Sequence, residues 1–121
     1  MGNPFVHVEL ITPDVDNAKS FYSAMFDWKL EDMPMWPGFT YTMVRVGEGT
    51  GGGMMATPEP GVPTMWVPYV HVDDVAAATA KAKSLGAKVW KEVTEVPGAG
   101  SFSVIGDPAG ATFGLWQNKR A

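Results

Sequence analysis

The chain repeats itself. Phe5 to Ile11 alternates in polarity and Asp14 follows as a helix N-cap; Trp66–Val72 and Asp74 bring the same order back about 60 residues later. At that offset His7 falls on Val67, Glu9 on Tyr69, Ile11 on His71 and Asp14 on Asp74. Met54 falls on Gly114 and Met55 on Leu115. A unit of this size has too little core to bury a sheet face alone, so the two copies must pack together. Two curved sheets side by side enclose a cleft, and the residues facing it decide function. The competing reading is an ordinary ferredoxin-like α+β domain whose halves are alike by chance.

Each copy reads as βαβββ. Val6, Val8 and Leu10 form one face of the first strand, and His7, Glu9 and Ile11 the other. Ala18, Phe21, Tyr22, Met25 and Phe26 give one helix face, expected to pack on Val6 and Val8. Trp28–Asp32, Phe39–Val46 and Gly52–Ala56 read as strands. Met33–Pro37 reads as a loop because Pro34 and Pro37 remove donors. In the second copy Val75, Ala78, Ala82 and Leu85 make the helix face, with Gly86 as its stop. Lys88–Lys91, Ser101–Ile105 and Thr112–Trp116 read as strands. Module one spans about 4–56, a proline-rich linker about 57–64, and module two about 65–118, all within a single domain of 121 residues.

Composition removes whole classes of function. Apolar residues at 45% and charged residues at 18% describe a folded chain. A net charge of −4 without clustered Lys and Arg argues against nucleic acid. With no cysteine there are no disulfides, thiolate ligands or cysteine nucleophile. No apolar run is long enough to span a bilayer, and the first residues lack the charged and apolar regions of a signal peptide. The expectation is a cytoplasmic protein with no membrane partner.

The stretches Phe5–Asp14, Ala18–Tyr22, Met25–Trp28, Gly52–Met55, Pro68–Asp74, Leu85–Ala87, Val96–Gly98 and Ile105–Ala111, in this order and spacing, resemble the vicinal oxygen chelate superfamily of glyoxalases, bleomycin resistance proteins and dioxygenases. The resemblance covers nearly the whole chain. It implies an α+β fold of two tandem βαβββ modules forming a curved, cleft-enclosing mixed sheet. It also implies metal ligands on the first and last strands of each module, at positions that fall on His7, Met54, Val67 and Gly114. Only His7 among these binds a divalent metal such as zinc, nickel, manganese or iron. The expectation is therefore no cofactor, with a shifted set of His7, Glu9 and His71 as the one route back to a metal. His7 and Glu9, two apart on a strand and so about 7 Å apart, suit a common ion poorly.

Without the metal, His7 and Glu9 are the candidates for acid/base work. A confined carboxylate has a raised pKa unless a donor pairs with it. The bland alternative is that Glu9 accepts a structural hydrogen bond, from Tyr69 or a backbone N–H. Trp36, Met54, Tyr69, His71 and Trp116 are the candidate ligand-binding residues, since Trp and Met make an adaptable apolar wall. Phe21, Met25 and Phe26 read as core. Gly51–Gly53 and Gly98–Gly100 precede no helix, so they are not phosphate cradles but places where backbones approach closely. Two functions follow: binding or sequestering a small organic ligand, or a glyoxalase-like lyase or isomerase using Glu9 and His7. A homodimer is expected, because loops such as Met33–Phe39 carry apolar surface.

Overall fold

The computed structural model describes residues 2–119. It divides into two units, one of residues 7–67 and one joining residues 2–6 to 68–119. In chain order module one comprises β1 (Phe5–Thr12), α1 (Val15–Met25), β2 (Lys29–Trp36), β3 (Phe39–Arg45) and β4 (Gly52–Ala56). Module two comprises β5 (Met65–His71), α2 (Val75–Ser84), β6 (Lys88–Val96), β7 (Gly100–Gly106) and β8 (Thr112–Asn118), so the unit boundaries fall inside β1 and β5. The residues before His7 belong to the second unit, where the Asn3 amide donates to the His71 carbonyl at 2.8 Å. The His71 N–H in turn donates to the Pro4 carbonyl at 2.9 Å.

Both modules are βαβββ with the same strand order, β2-β3-β4-β1 and β6-β7-β8-β5. First and last strands run parallel (β1 with β4, β5 with β8), and the other pairs are antiparallel. Asp14 and Asp74 cap the helices, each accepting the N–H three residues on at 3.0 Å. Gly86 ends α2 at φ 96°, the left-handed conformation that favours glycine.

Three sequence readings change. Met33–Pro37 is not a loop: β2 runs through Met33 and Pro34 to Trp36, opposite Tyr41 and Thr40. Proline is admissible there because β2 lies at the outer edge of its module's sheet order and its register breaks between Pro34 and Trp36. Phe21, Met25 and Phe26 are exposed, at 55%, 56% and 46%. Val15, Ala18 and Tyr22 reach the core instead. Tyr22 meets Trp28 and Trp66 at ring separations of 5.6 and 5.4 Å, so α1 turns its Val15, Ala18 and Tyr22 side to the core and leaves Phe21 and Met25 outside it, while Phe26 lies past the helix end as its C-cap. Val6, expected beneath α1, is also exposed.

The third change decides the site. Leu10, Val44 and Met54 form the first core under α1, and Val75, Ile105 and Leu115 the second under α2. Thr42 stands opposite Met54, and Ser103 opposite Leu115. The offset is thus 60 on β1 and β5 but 61 from β3 and β7 onward. Met54 corresponds to Leu115, and Gly53, not Met54, corresponds to Gly114.

Candidate functional site

Alternation on β1 puts Leu10 in the helix-side core and sends His7 and Glu9 to the opposite face of the sheet. The two are joined by a residue that the sequence reading passed over. Tyr41 of β3 donates its hydroxyl to Glu9 Oε2 at 2.8 Å, and the same oxygen lies 2.6 Å from His7 Nε2. A carboxylate only accepts, so the Tyr41 proton goes to Glu9 and His7 Nε2–H donates to Tyr41. The donor to Glu9 is thus Tyr41 rather than Tyr69 or a backbone N–H. The His7 and Tyr41 rings lie nearly parallel, 23° apart in plane with centroids at 6.1 Å. Burial pushes the His7 pKa below its ordinary 6.5, which keeps the imidazole neutral at pH 7. Glu9 is 9% exposed. One buried carboxylate and one neutral imidazole, bridged by a phenol, make a chain suited to proton transfer and to holding a ligand's polar group.

Gly53 makes this possible. It stands opposite both Glu9 on β1 and Met43 on β3. A Cβ on Gly53 would overlap the ring and hydroxyl of Tyr41. The missing side chain lets that ring lie across β4 and reach β1. A glycine inside a strand was the available signal, since it marks a place where another group lies close.

The remaining candidates fall out as follows. Met54 is fully buried in the first core with Leu10 and Val44, so it packs rather than lines a ligand face. The cause is the one-residue change of offset. Tyr69 is 5% exposed, its ring lying over Gly114 as Tyr41 lies over Gly53 and meeting Phe102 edge-on at 6.2 Å. His71 and Trp116 are half-buried and stand opposite each other on β5 and β8. The Trp116 indole N–H donates to Asn118 at 2.8 Å. Trp36 closes β2, and its side chain lies outside the described residues.

The residues do not suit a divalent metal. On the Glu9 face the last-strand position of module one is Gly53 and that of module two is Gly114, and tyrosine rings fill the space at both. Val67 is a buried hydrocarbon. Among the described residues no three of His, Cys, Asp or Glu gather into a group able to hold an ion, and the shifted set of His7, Glu9 and His71 is not such a group. Among the same residues no helix is long and apolar enough to cross a membrane.

Comparison with known proteins places this architecture. Residues 5–115 match the family model of the Glyoxalase/Bleomycin resistance protein/Dioxygenase superfamily. "Putative glyoxylase CFP32" of Mycobacterium bovis is 38% identical over 107 residues, covering 88% of this chain and 41% of that protein. "Anthracycline biosynthesis protein DnrV" of Streptomyces peucetius is 29% identical over 124 residues, covering 90% of this chain and 45% of that protein. The chain therefore spans less than half the length of these curated relatives. Methylmalonyl-CoA epimerase from Mycobacterium tuberculosis has a structure that superposes with a TM-score of 0.69 at 17% identity, covering 96% of this chain and 88% of that one.

Proposed function

The chain belongs to the glyoxalase/bleomycin resistance protein/dioxygenase superfamily, and from that premise we propose that it binds a small organic molecule, without a metal, on the module-one sheet face. The observation that carries this reading is the hydrogen-bonded His7–Tyr41–Glu9 chain, half-buried at His7 and Tyr41, buried at Glu9, and fixed on strands rather than loops. Around it the same face is rich in thioethers: Met33 opposite Tyr41, Met43 opposite Gly53 and Met55 opposite Ile11. Flexible, polarisable side chains beside a few fixed polar groups suit a mostly apolar ligand with one polar anchor. The likeness to a protein of anthracycline biosynthesis makes flat polycyclic quinones sensible first probes.

The test is calorimetric titration of wild type and Glu9→Gln with a panel of anthraquinones and neutral monocyclic aromatics. Removing the charge while keeping the volume should weaken binding at least tenfold, about 1.4 kcal/mol. Equal binding by the two proteins would sink the reading.

The same chain supports a second reading, acid/base catalysis as in a lyase or isomerase, because a carboxylate and a neutral imidazole joined through one hydroxyl can take up and return a proton. Deuterium uptake from D2O at the activated C–H of a β-keto thioester would reveal it. No uptake above the rate given by Glu9→Gln would exclude it for that carbon acid.

For assembly we propose a homodimer, supported by the uncovered side chains of Phe21, Met25 and Phe26 on and just after α1. Light scattering at micromolar concentration decides it, and a monomer mass refutes it.

A further inference from the structure

We propose that Tyr41 is the positioning residue of this site, joining Glu9 and His7 into one proton-sharing unit. The inference deepens the proposed function and rests on its assignment of this face as the working one. Tyr41 has one hydroxyl proton and gives it to one end of the chain while accepting at the other, so the two hydrogen bonds cannot be set independently. The direction that delivers the proton to Glu9 fixes His7 as the Nε2–H tautomer. If His7 gains a proton at Nδ1, its Nε2 proton passes to Tyr41 while the Tyr41 proton passes to Glu9. The end state is a neutral His7 protonated at Nδ1, a Tyr41 hydroxyl that donates to Nε2, and Glu9 as a carboxylic acid. One proton has entered and one is stored; no heavy atom needs to leave its strand.

Gly53 gives the ring this place, and the second module provides the control. There Phe102 stands at the Tyr41 position, opposite Trp116 and one residue before the Ser103–Leu115 pair, and it has no hydroxyl. Val67 and Tyr69 hold the places of His7 and Glu9. The charged groups on the trio's own sheet face are Lys29, Glu31 and Arg45, with Arg45 paired to Glu31 at 2.7 Å.

The experiment is NMR of the full chain labelled with 15N in histidine and 13C in the glutamate carboxyls, followed against pH. His71, the second of two histidines, is the internal reference. In the wild type the Glu9 carboxyl and His7 Nε2 signals should move with a shared midpoint, and His7 should show one tautomer. In Tyr41→Phe the two midpoints should separate and the His7 tautomers should mix, with the amide spectrum otherwise kept. If Tyr41→Phe does not fold, Glu9→Gln reads the same coupling: loss of the carboxylate should move His7 toward the Nδ1–H tautomer. A His7 whose tautomer and midpoint ignore these substitutions overturns the proposal. The spectra need no ligand, so a failed binding panel and a failed coupling remain separate results.

Discussion

Glu9 and Tyr69 hold the same place in two modules built alike, and their surroundings differ completely. In the first module that face carries an imidazole, a phenol and a carboxylate in one hydrogen-bonded line. In the second it carries Val67, Tyr69 and Phe102, and Tyr69 and Phe102 meet edge-on. Behind the sheets the modules agree: aspartate caps, an apolar cluster under one helix, and a buried hydroxyl on the matching strand (Thr42 and Ser103). Even these hydroxyls find different partners. Thr42 donates to Asp32 at 2.8 Å, whereas Ser103 pairs with Thr79 of α2 at 2.8 Å. The helix side must exclude water to hold the fold, so it varies within narrow limits. The other side is free to differ, and among the described residues the hydrogen-bonded imidazole, phenol and carboxylate stand in module one.

The comparison can be broken most severely in the cores. Met54→Ala and Leu115→Ala should each destabilise by about 2–5 kcal/mol, because both delete a buried side chain at the same place in their modules. Urea denaturation measures this. If Met54→Ala cost under about 1 kcal/mol while weakening ligand binding, Met54 would belong to the ligand face after all.

Next come the paired glycines. Gly53→Ala and Gly114→Ala should each cost about 1–3 kcal/mol, since a methyl group must displace a tyrosine ring. Only Gly53→Ala should also disturb the His7 NMR signals. An equal disturbance from Gly114→Ala would end the assignment of the polar unit to module one.

A smaller effect comes from pH. The folded-state pKa of His7 lies below 6.5, so below pH 6.5 the unfolded chain takes up a proton that the folded chain resists. Stability should therefore fall as pH drops from 6.5 toward the folded pKa, by at most about 1.4 kcal/mol per pH unit from this group. His7→Gln should flatten that segment of the curve, measured by urea denaturation at pH 7.5, 6.5 and 5.5.

Smallest of all, Phe21→Lys should change the stability of the protomer, measured at concentrations below dimerisation, by less than about 0.5 kcal/mol, because the side chain is exposed there. Its effect should appear in light scattering, as a shift from dimer to monomer.

Much of this was legible in the residues. Period-two alternation separates His7 and Glu9 from Leu10, and the Asp14 and Asp74 caps and the Gly86 stop are local chemistry that needs no tertiary knowledge. Tyr41 was missed because its role depends on which strand lies beside β4, and sequence spacing does not carry that. Met54 was misplaced by one residue, which on a strand reverses the face. Phe21 and Met25 read as core because helical periodicity says which residues share a face, not where the stripe meets the sheet. Pro34 hid the length of β2, since a proline is tolerated in a strand only where an edge leaves its missing donor unneeded.

The tyrosine lying over Gly53 has a consequence for redesign. Gly53→Glu would place a side chain in volume that the Tyr41 ring already fills, so that substitution alone cannot introduce a carboxylate at this position of β4. Tyr41 would have to shrink first, and that intermediate would lose the His7–Glu9 bridge before any ion could replace it. The relay and a carboxylate at this position of β4 therefore exclude one another: a route from one to the other passes through a protein that has neither.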